Sequence, residues 1–141
     1  MSSEYDELQE MVLEDAREIY SDTVIDHFMH PRNLGVIPDS DGFSRITGPC
    51  GDTIELWIKV DKGVITGASF MTDGCGTSIA SGSMITVLAA GKSLAQALQI
   101  SQEDVLKALG GLPEESEHCA LLASNTLKAA VQDYFQIRQA P

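Results

Sequence analysis

Residues 53–60 alternate without a break: Ile54, Leu56, Ile58 and Val60 fall on one face of an extended chain, and Thr53, Glu55, Trp57 and Lys59 on the other. A period of two means a strand with one buried face, so this chain must build a sheet and cover it with something apolar. Asp61-Lys62-Gly63 supplies turn chemistry, residues 64–71 return as another strand, and the short stretch 43–47 precedes both. The pattern predicts an antiparallel three-stranded meander.

Helical periodicity elsewhere supplies the cover. Residues 77–90 are apolar on most sides, with Ile79, Ala80, Met84, Val87 and Leu88 at helical spacing, so they read as the central helix, ended by Gly91. A last long helix is expected over about 117–138, with Ala120, Ala123, Leu127, Ala130, Val131 and Tyr134 inward. Ser93 with Gln96 and Ser101 with Asp104 have the spacing of N-terminal capping boxes for two short helices. Nearer the start, Tyr5, Leu8, Met11, Val12, Ala16 and Ile19 mark an amphipathic helix over 4–19. A short helix over 21–29 should turn Val24, Ile25 and Phe28 inward and stop before Pro31. His27 and His30 then read as surface or capping residues near its C-terminal end, and 31–42 as loop. The class is α+β: a small antiparallel sheet packed with helices, in one domain.

Composition excludes several functions. A net charge of −12 with only nine Lys and Arg, all scattered, leaves no basic patch for a nucleic-acid backbone. No stretch approaches the ~20 apolar residues of a membrane-spanning helix, and the first residues do not read as a secretory signal, so a cytoplasmic location with no membrane partner is expected. Gly91-Lys92-Ser93 resembles the end of a phosphate-binding loop, but the glycine that motif needs five residues earlier is Thr86.

Three cysteines are too few for a disulfide framework, and each lies at a break in the apolar pattern. Cys50 shares a turn with Asp52 between the first two strands, Cys75 stands between Gly74 and Gly76 at the start of the central helix, and Cys119 follows His118 at the start of the last. Helix N-termini favour thiolate, so lowered pKa values are expected at Cys75 and Cys119. Three thiolates plus imidazole or carboxylate suit zinc or iron in a sulfide cluster. Cys50, Asp52, Cys75, His118 and Cys119 offer five ligands where four suffice, on glycine-rich turns without Cys-x-x-Cys pairing, which favours holding and releasing over stapling a fold. A structural zinc protein is one rival. A thiol enzyme with Cys119 as nucleophile is another, weakened because side chains of adjacent helical residues point ~100° apart, placing His118 badly as its base.

The chain from about Tyr20 to Tyr134 resembles the IscU/NifU-type iron–sulfur cluster assembly scaffolds. The resemblance rests on His27-Phe28-Met29-His30-Pro31-Arg32-Asn33-Leu34-Gly35, Cys50-Gly51-Asp52, Gly74-Cys75-Gly76 followed by Ser78-Ile79-Ala80-Ser81, Gly91-Lys92-Ser93, and His118-Cys119. It implies a scaffold without turnover of its own, on which a [2Fe–2S] cluster is built from iron and from sulfur supplied by a PLP-dependent cysteine desulfurase, then passed to apo iron–sulfur proteins. A frataxin-like protein and an Hsp70-type chaperone help in some systems.

The resemblance also implies roles: Cys50, Cys75 and Cys119 as thiolate ligands, Cys119 as principal persulfide acceptor, Asp52 as the ligand that keeps the site labile, and His118 as an alternative ligand. Zn²⁺ would fit the same pocket. His118, and the absence of a long insertion before it, place the resemblance in the Isc-type branch and not the Suf-type one. One segment departs: Leu-Pro-Pro-Val-Lys, read by the chaperone in Isc-type proteins, is here Leu112-Pro113-Glu114-Glu115-Ser116-Glu117. With the lysine gone and the local charge reversed, chaperone binding is not assumed. Residues 1–18 lie outside the resemblance, as a helical extension to a scaffold domain at 19–141; they read as an oligomerisation helix, a mobile arm or a solvated helix.

Overall fold

The computed structural model describes residues 14–139, with side chains as far as 137. The helix expected over 4–19 therefore lies outside the described residues up to position 13; residues 14–19 are helical. Then follow α1 (Asp22–Met29), β1 (Gly42–Thr47), β2 (Thr53–Asp61), β3 (Val64–Thr72), α2 (Gly76–Ala89), α3 (Leu94–Leu98), α4 (Gln102–Leu109), a 3₁₀ turn (Glu114–Ser116) and α5 (Glu117–Gln139).

The expected meander forms, in the order β1-β2-β3 with both pairs antiparallel. Asp61 pairs with Val64 across a two-residue turn in which Lys62 and Gly63 both take positive φ (52° and 77°), the mirror-image turn whose twist suits a hairpin. Ile54, Leu56 and Ile58 on the inner face are wholly buried. Helix α5 lies along β1 and β2, and α2 along β3. A Cβ on Gly42 would come within 2.5 Å of the Ala130 carbonyl oxygen, so β1 approaches α5 as closely as only glycine permits. The outer face is less open than alternation predicts: Trp57 is only 9% exposed, its ring 5.2 Å from that of Phe43 in the paired strand.

Helix α2 is the centre of the fold, as expected, packed by α1, β3, α4 and α5. Its residues are small enough to be buried nearly all round, including Thr77, Ser78, Ser81, Ser83 and Thr86. Both capping boxes are present, at Ser93/Gln96 and Ser101/Asp104. Ser21 caps α1 by accepting from the Val24 amide, and its hydroxyl donates to the Leu109 carbonyl, which ties α1 to the end of α4.

Two expectations about α1 are corrected. Phe28 is 47% exposed, whereas His27 is buried, its Nδ1 2.7 Å from the Ser83 hydroxyl of α2. The same hydroxyl accepts from the Arg32 amide at 2.9 Å, so a polar seam joins α1 and the following loop to the central helix. His30 caps the helix and is exposed, as expected.

Burial pushes the His27 imidazole below its usual value, with the Arg32 charge acting in the same direction and Asp26 opposing. The fold thus favours neutral His27. A depressed folded value means that this stability is complete above the ordinary pKa of about 6.5 and is lost as pH falls through the lower folded one. The urea midpoint should drop between pH 7.5 and pH 5.5, and His27→Asn should flatten that drop while lowering stability at pH 7.5; an equal drop in the variant would assign it to other groups.

Candidate functional site

The β1–β2 turn, the β3–α2 connection and the first turn of α5 meet beyond one end of the sheet. In the first, the Gly48 amide donates to the Asp52 carbonyl at 2.8 Å and the Gly51 amide to that of Gly48 at 3.0 Å. Gly51 takes φ 91°, which a side chain would resist. The closed turn leaves Cys50 exposed and aims Asp52 inward, where its Oδ2 accepts a 2.7 Å hydrogen bond from Ser78 in the first turn of α2.

Gly74 and Gly76 are glycines for room and not for freedom, since neither takes positive φ. A Cβ on Gly74 would stand 2.6 Å from the Ser78 side chain and 2.9 Å from the Asp52 carboxyl carbon; one on Gly76 would stand 2.6 Å from the Phe28 ring. The connection around Cys75 is therefore closely packed, where the sequence alone suggested a loose turn. Cys75 occupies the N-cap of α2 and is exposed, with its sulfur 3.2 Å from Thr77 Oγ1.

Cys119 lies in the first turn of α5 and is buried. Its sulfur is 3.4 Å from Thr77 Oγ1, 3.5 Å from Ser78 Oγ and 3.7 Å from His118 Nε2. His118 Nε2 is also 3.0 Å from the Cys50 sulfur. The imidazole thus reaches sulfurs on both sides, and adjacency on the helix does not keep it from Cys119 as its spacing suggested.

All five residues singled out from the sequence come together, joined by hydrogen-bond contacts that run from Asp52 through Ser78 to Cys119, then through Thr77 to Cys75 and through His118 to Cys50. The hydroxyls of Thr77 and Ser78 stand at the middle, and neither was given a role from sequence. Their signal was two hydroxyl residues directly after Cys75 and Gly76 in the first turn of a helix that buries almost every side. Among the described residues no three His, Cys, Asp or Glu side chains lie close enough to hold a metal ion as they stand. The donor chemistry fits a thiophilic metal.

The thiols are not equivalent. The Thr77 hydroxyl lowers the Cys75 pKa, helped by the amides of Ser78 and Thr77 against some desolvation and the Asp52 charge. Cys119 goes the other way: burial pushes it up by more than the Thr77 and Ser78 hydroxyls pull it down, with Cys75 and Asp52 adding to the rise. The expectation that a helix N-terminus lowers both fails at Cys119, because desolvating a thiolate costs more than that terminus returns. In metal-free protein, Cys75 should therefore alkylate faster than Cys119, and its rate should climb with pH over a lower pH range than that of Cys119, as peptide-resolved mass spectrometry can follow; equal rates would contradict the burial of Cys119.

The chain matches the NifU-like N terminal domain over residues 19–141. It is 45% identical over 119 residues to the iron-sulfur cluster assembly scaffold protein IscU 1 of Archaeoglobus fulgidus, covering 84% of this chain and 78% of that protein. It is 44% identical over 126 residues to the iron-sulfur cluster assembly scaffold protein IscU of Escherichia coli, covering 86% and 98%. The fold is similar to that of the crystal structure of a nitrogen-fixing NifU-like protein (N-terminal) from Brucella abortus, with a TM-score of 0.68 at 17% identity over 87% of this chain and 97% of that one.

Proposed function

The chain belongs to the NifU-like N-terminal domain family, and from that premise we propose that it is a scaffold on which an iron–sulfur cluster is assembled and from which it is passed on. The supporting observation is the convergence of Cys50, Asp52, Cys75, His118 and Cys119, from three separate segments, on one hydrogen-bonded site. Residues 19–141 form the scaffold domain and residues 1–18 are an extension to it.

In the finer reading, Cys50, Cys75 and Cys119 hold a [2Fe–2S] cluster as thiolates, with Asp52 or His118 completing the set. Sulfur comes from a PLP-dependent cysteine desulfurase. The Cys119 thiolate attacks the terminal sulfur of the donor's persulfide; a new S–S bond forms on Cys119 and the donor leaves as thiolate. Two equivalents of an external thiol then supply two electrons: the S–S bond on Cys119 breaks, its outer sulfur leaves as sulfide, Cys119 returns to the thiol, and the reductant ends as a disulfide. Cys119 is 1% exposed, so receiving sulfur requires its contacts with Thr77 and Ser78 to open. Opening also removes the desolvation that raises its pKa, so access and thiolate come together. Apo iron–sulfur proteins are the acceptors, and a frataxin-like protein is a candidate helper. The exposed Glu114 and Glu115, in place of a Pro-Val-Lys segment, argue against an Hsp70-type chaperone contact. The protein carries its cargo without catalytic turnover.

Anaerobic incubation with iron, cysteine and a desulfurase should develop sulfide-to-iron charge-transfer absorption with about two irons per chain or per dimer. Before iron is added, the persulfide should sit chiefly on Cys119. Absence of the absorption would sink the scaffold assignment. Zinc content decides nothing here, because the same donors suit Zn²⁺.

Asp52 contributes a hard carboxylate to an otherwise soft set, which favours iron uptake and cluster release over storage. Asp52→Ala should slow transfer of a reconstituted cluster to an apo-ferredoxin by roughly tenfold. Unchanged transfer kinetics would contradict this role.

A further inference from the structure

Where α2 ends, a groove opens that the candidate site does not touch. Leu88 of α2, Ile100 between α3 and α4, and Ala108 of α4 give it an apolar floor, and Lys92, Asp104 and Lys107 complete the lining. It encloses about 400 Å³ and is open to solvent on its outer side. Leu88 stands thirteen residues after Cys75, or ~20 Å along the helix, so the groove lies at the other end of α2 from the thiols.

The charge here runs against that of the chain, which has nine Lys and Arg for twenty-one Asp and Glu. Lys92 and Lys107 are both exposed. Among the described residues the ion pairs are Arg32 with Asp26 and Lys59 with Asp39 and Asp41, so neither groove lysine is in one. Asp104 is occupied elsewhere: its Oδ2 accepts from the Ser101 amide at 2.9 Å, as half of the capping box that starts α4. Hydrogen bonds from Ser101 hold its carboxyl below the usual carboxylate range, with Lys107 the weakest influence. Two ammonium groups therefore stand at the groove against one carboxylate that is already engaged.

An apolar floor between cations fits an amphipathic anion. Openness decides its size. A small ligand is held by enclosing roughly 70–90% of its surface, which an open groove does not offer, whereas a protein segment gains further contacts from its flanking residues. We propose that this groove docks an acidic segment of a partner protein, with a bulky apolar side chain on Leu88, Ile100 and Ala108 and carboxylates at Lys92 and Lys107. A partner held here leaves Cys50, Cys75 and Cys119 uncovered, so it can stay bound while the site is loaded or emptied. The docking can fail separately from cluster assembly, since it is read in metal-free protein.

The test uses the full-length, metal-free chain and a short fluorescein-labelled peptide of Asp and Glu around one Leu and one Phe, followed by fluorescence anisotropy at low salt. The parent should bind it, and added salt should weaken that binding. Lys92→Glu and Lys107→Glu should each weaken binding about fivefold, whereas Arg45→Glu, the same reversal on β1, should match the parent. Replacing the peptide's Leu and Phe by Ser should weaken it about tenfold. Should a reversal variant lose its circular dichroism, Lys92→Gln and Lys107→Gln read the same contact with a smaller loss, about twofold. No binding by the parent overturns the proposal, as does an equal loss in Arg45→Glu. Undiminished binding of the Ser-substituted peptide also overturns it, because the contact is then one of charge alone. Alkylation of Cys75 should proceed at the same rate with peptide bound; protection would place the peptide at the candidate site and overturn the assigned groove. Octanoate binding where the peptide does not bind would make the groove a small-molecule site, which overturns the docking role.

Discussion

The structure depends on a helix that can be enclosed because its side chains are small. Gly82 lies so close to the Phe70 ring of β3 that an added Cβ would stand 2.5 Å from it, and α1, α4 and α5 close on the other sides. Larger residues would push these layers apart and open the core. Many of the small residues are hydroxylic, and a buried hydroxyl needs a partner. Ser83 meets His27 and the Arg32 amide, Asn33 donates to Thr86, and Thr77 and Ser78 meet the candidate ligands. One constraint thus produces both the packing and the polar seam that leads into the site.

This explains which parts were legible in the sequence. The β2 strand at Thr53–Asp61, the capping boxes at Ser93 and Ser101 and the inward stripe of α5 follow from local periodicity and local hydrogen bonds and appear where expected, although Thr53 and Trp57 on the outer face of β2 are buried against the alternation. The candidate ligands were legible because cysteines at breaks in a pattern are rare, and the topology then brings them together. Periodicity could not tell that His27 faces inward while Phe28 turns its ring over Gly76, because that choice rests on Ser83 and Gly76 in a helix some fifty residues away. Nor could it show that burial outweighs the helix terminus at Cys119, since desolvation is a property of the packed site.

The hydroxyls of Thr77 and Ser78 give the metal-free site a resting arrangement. Each thiol, the carboxylate and the imidazole already has a polar contact, so none is left exposed to low dielectric without compensation. On the proposed scaffold reading, a metal would replace those contacts, and its net affinity would be reduced by what they contribute. On the same reading, those contacts would be regained when a cargo leaves, which suits a site meant to give up its contents. The arrangement also separates an exposed, acidified Cys75 from a buried Cys119, so reagents from solvent meet one thiol before the other.

The acidic run ahead of His118 acts on a different scale. Glu114 and Glu115 are exposed on a single 3₁₀ turn that leads into α5, and the whole chain carries a net charge of −12. Exposed charges are screened over ~8 Å at physiological salt, so on the proposed reading these carboxylates would change the holding of coordinated iron little. Their field acts on approach, raising the local concentration of a divalent cation and opposing an anionic partner surface. On the proposed scaffold reading, iron capture should therefore be more sensitive to salt than cluster retention, which would depend on the soft donors.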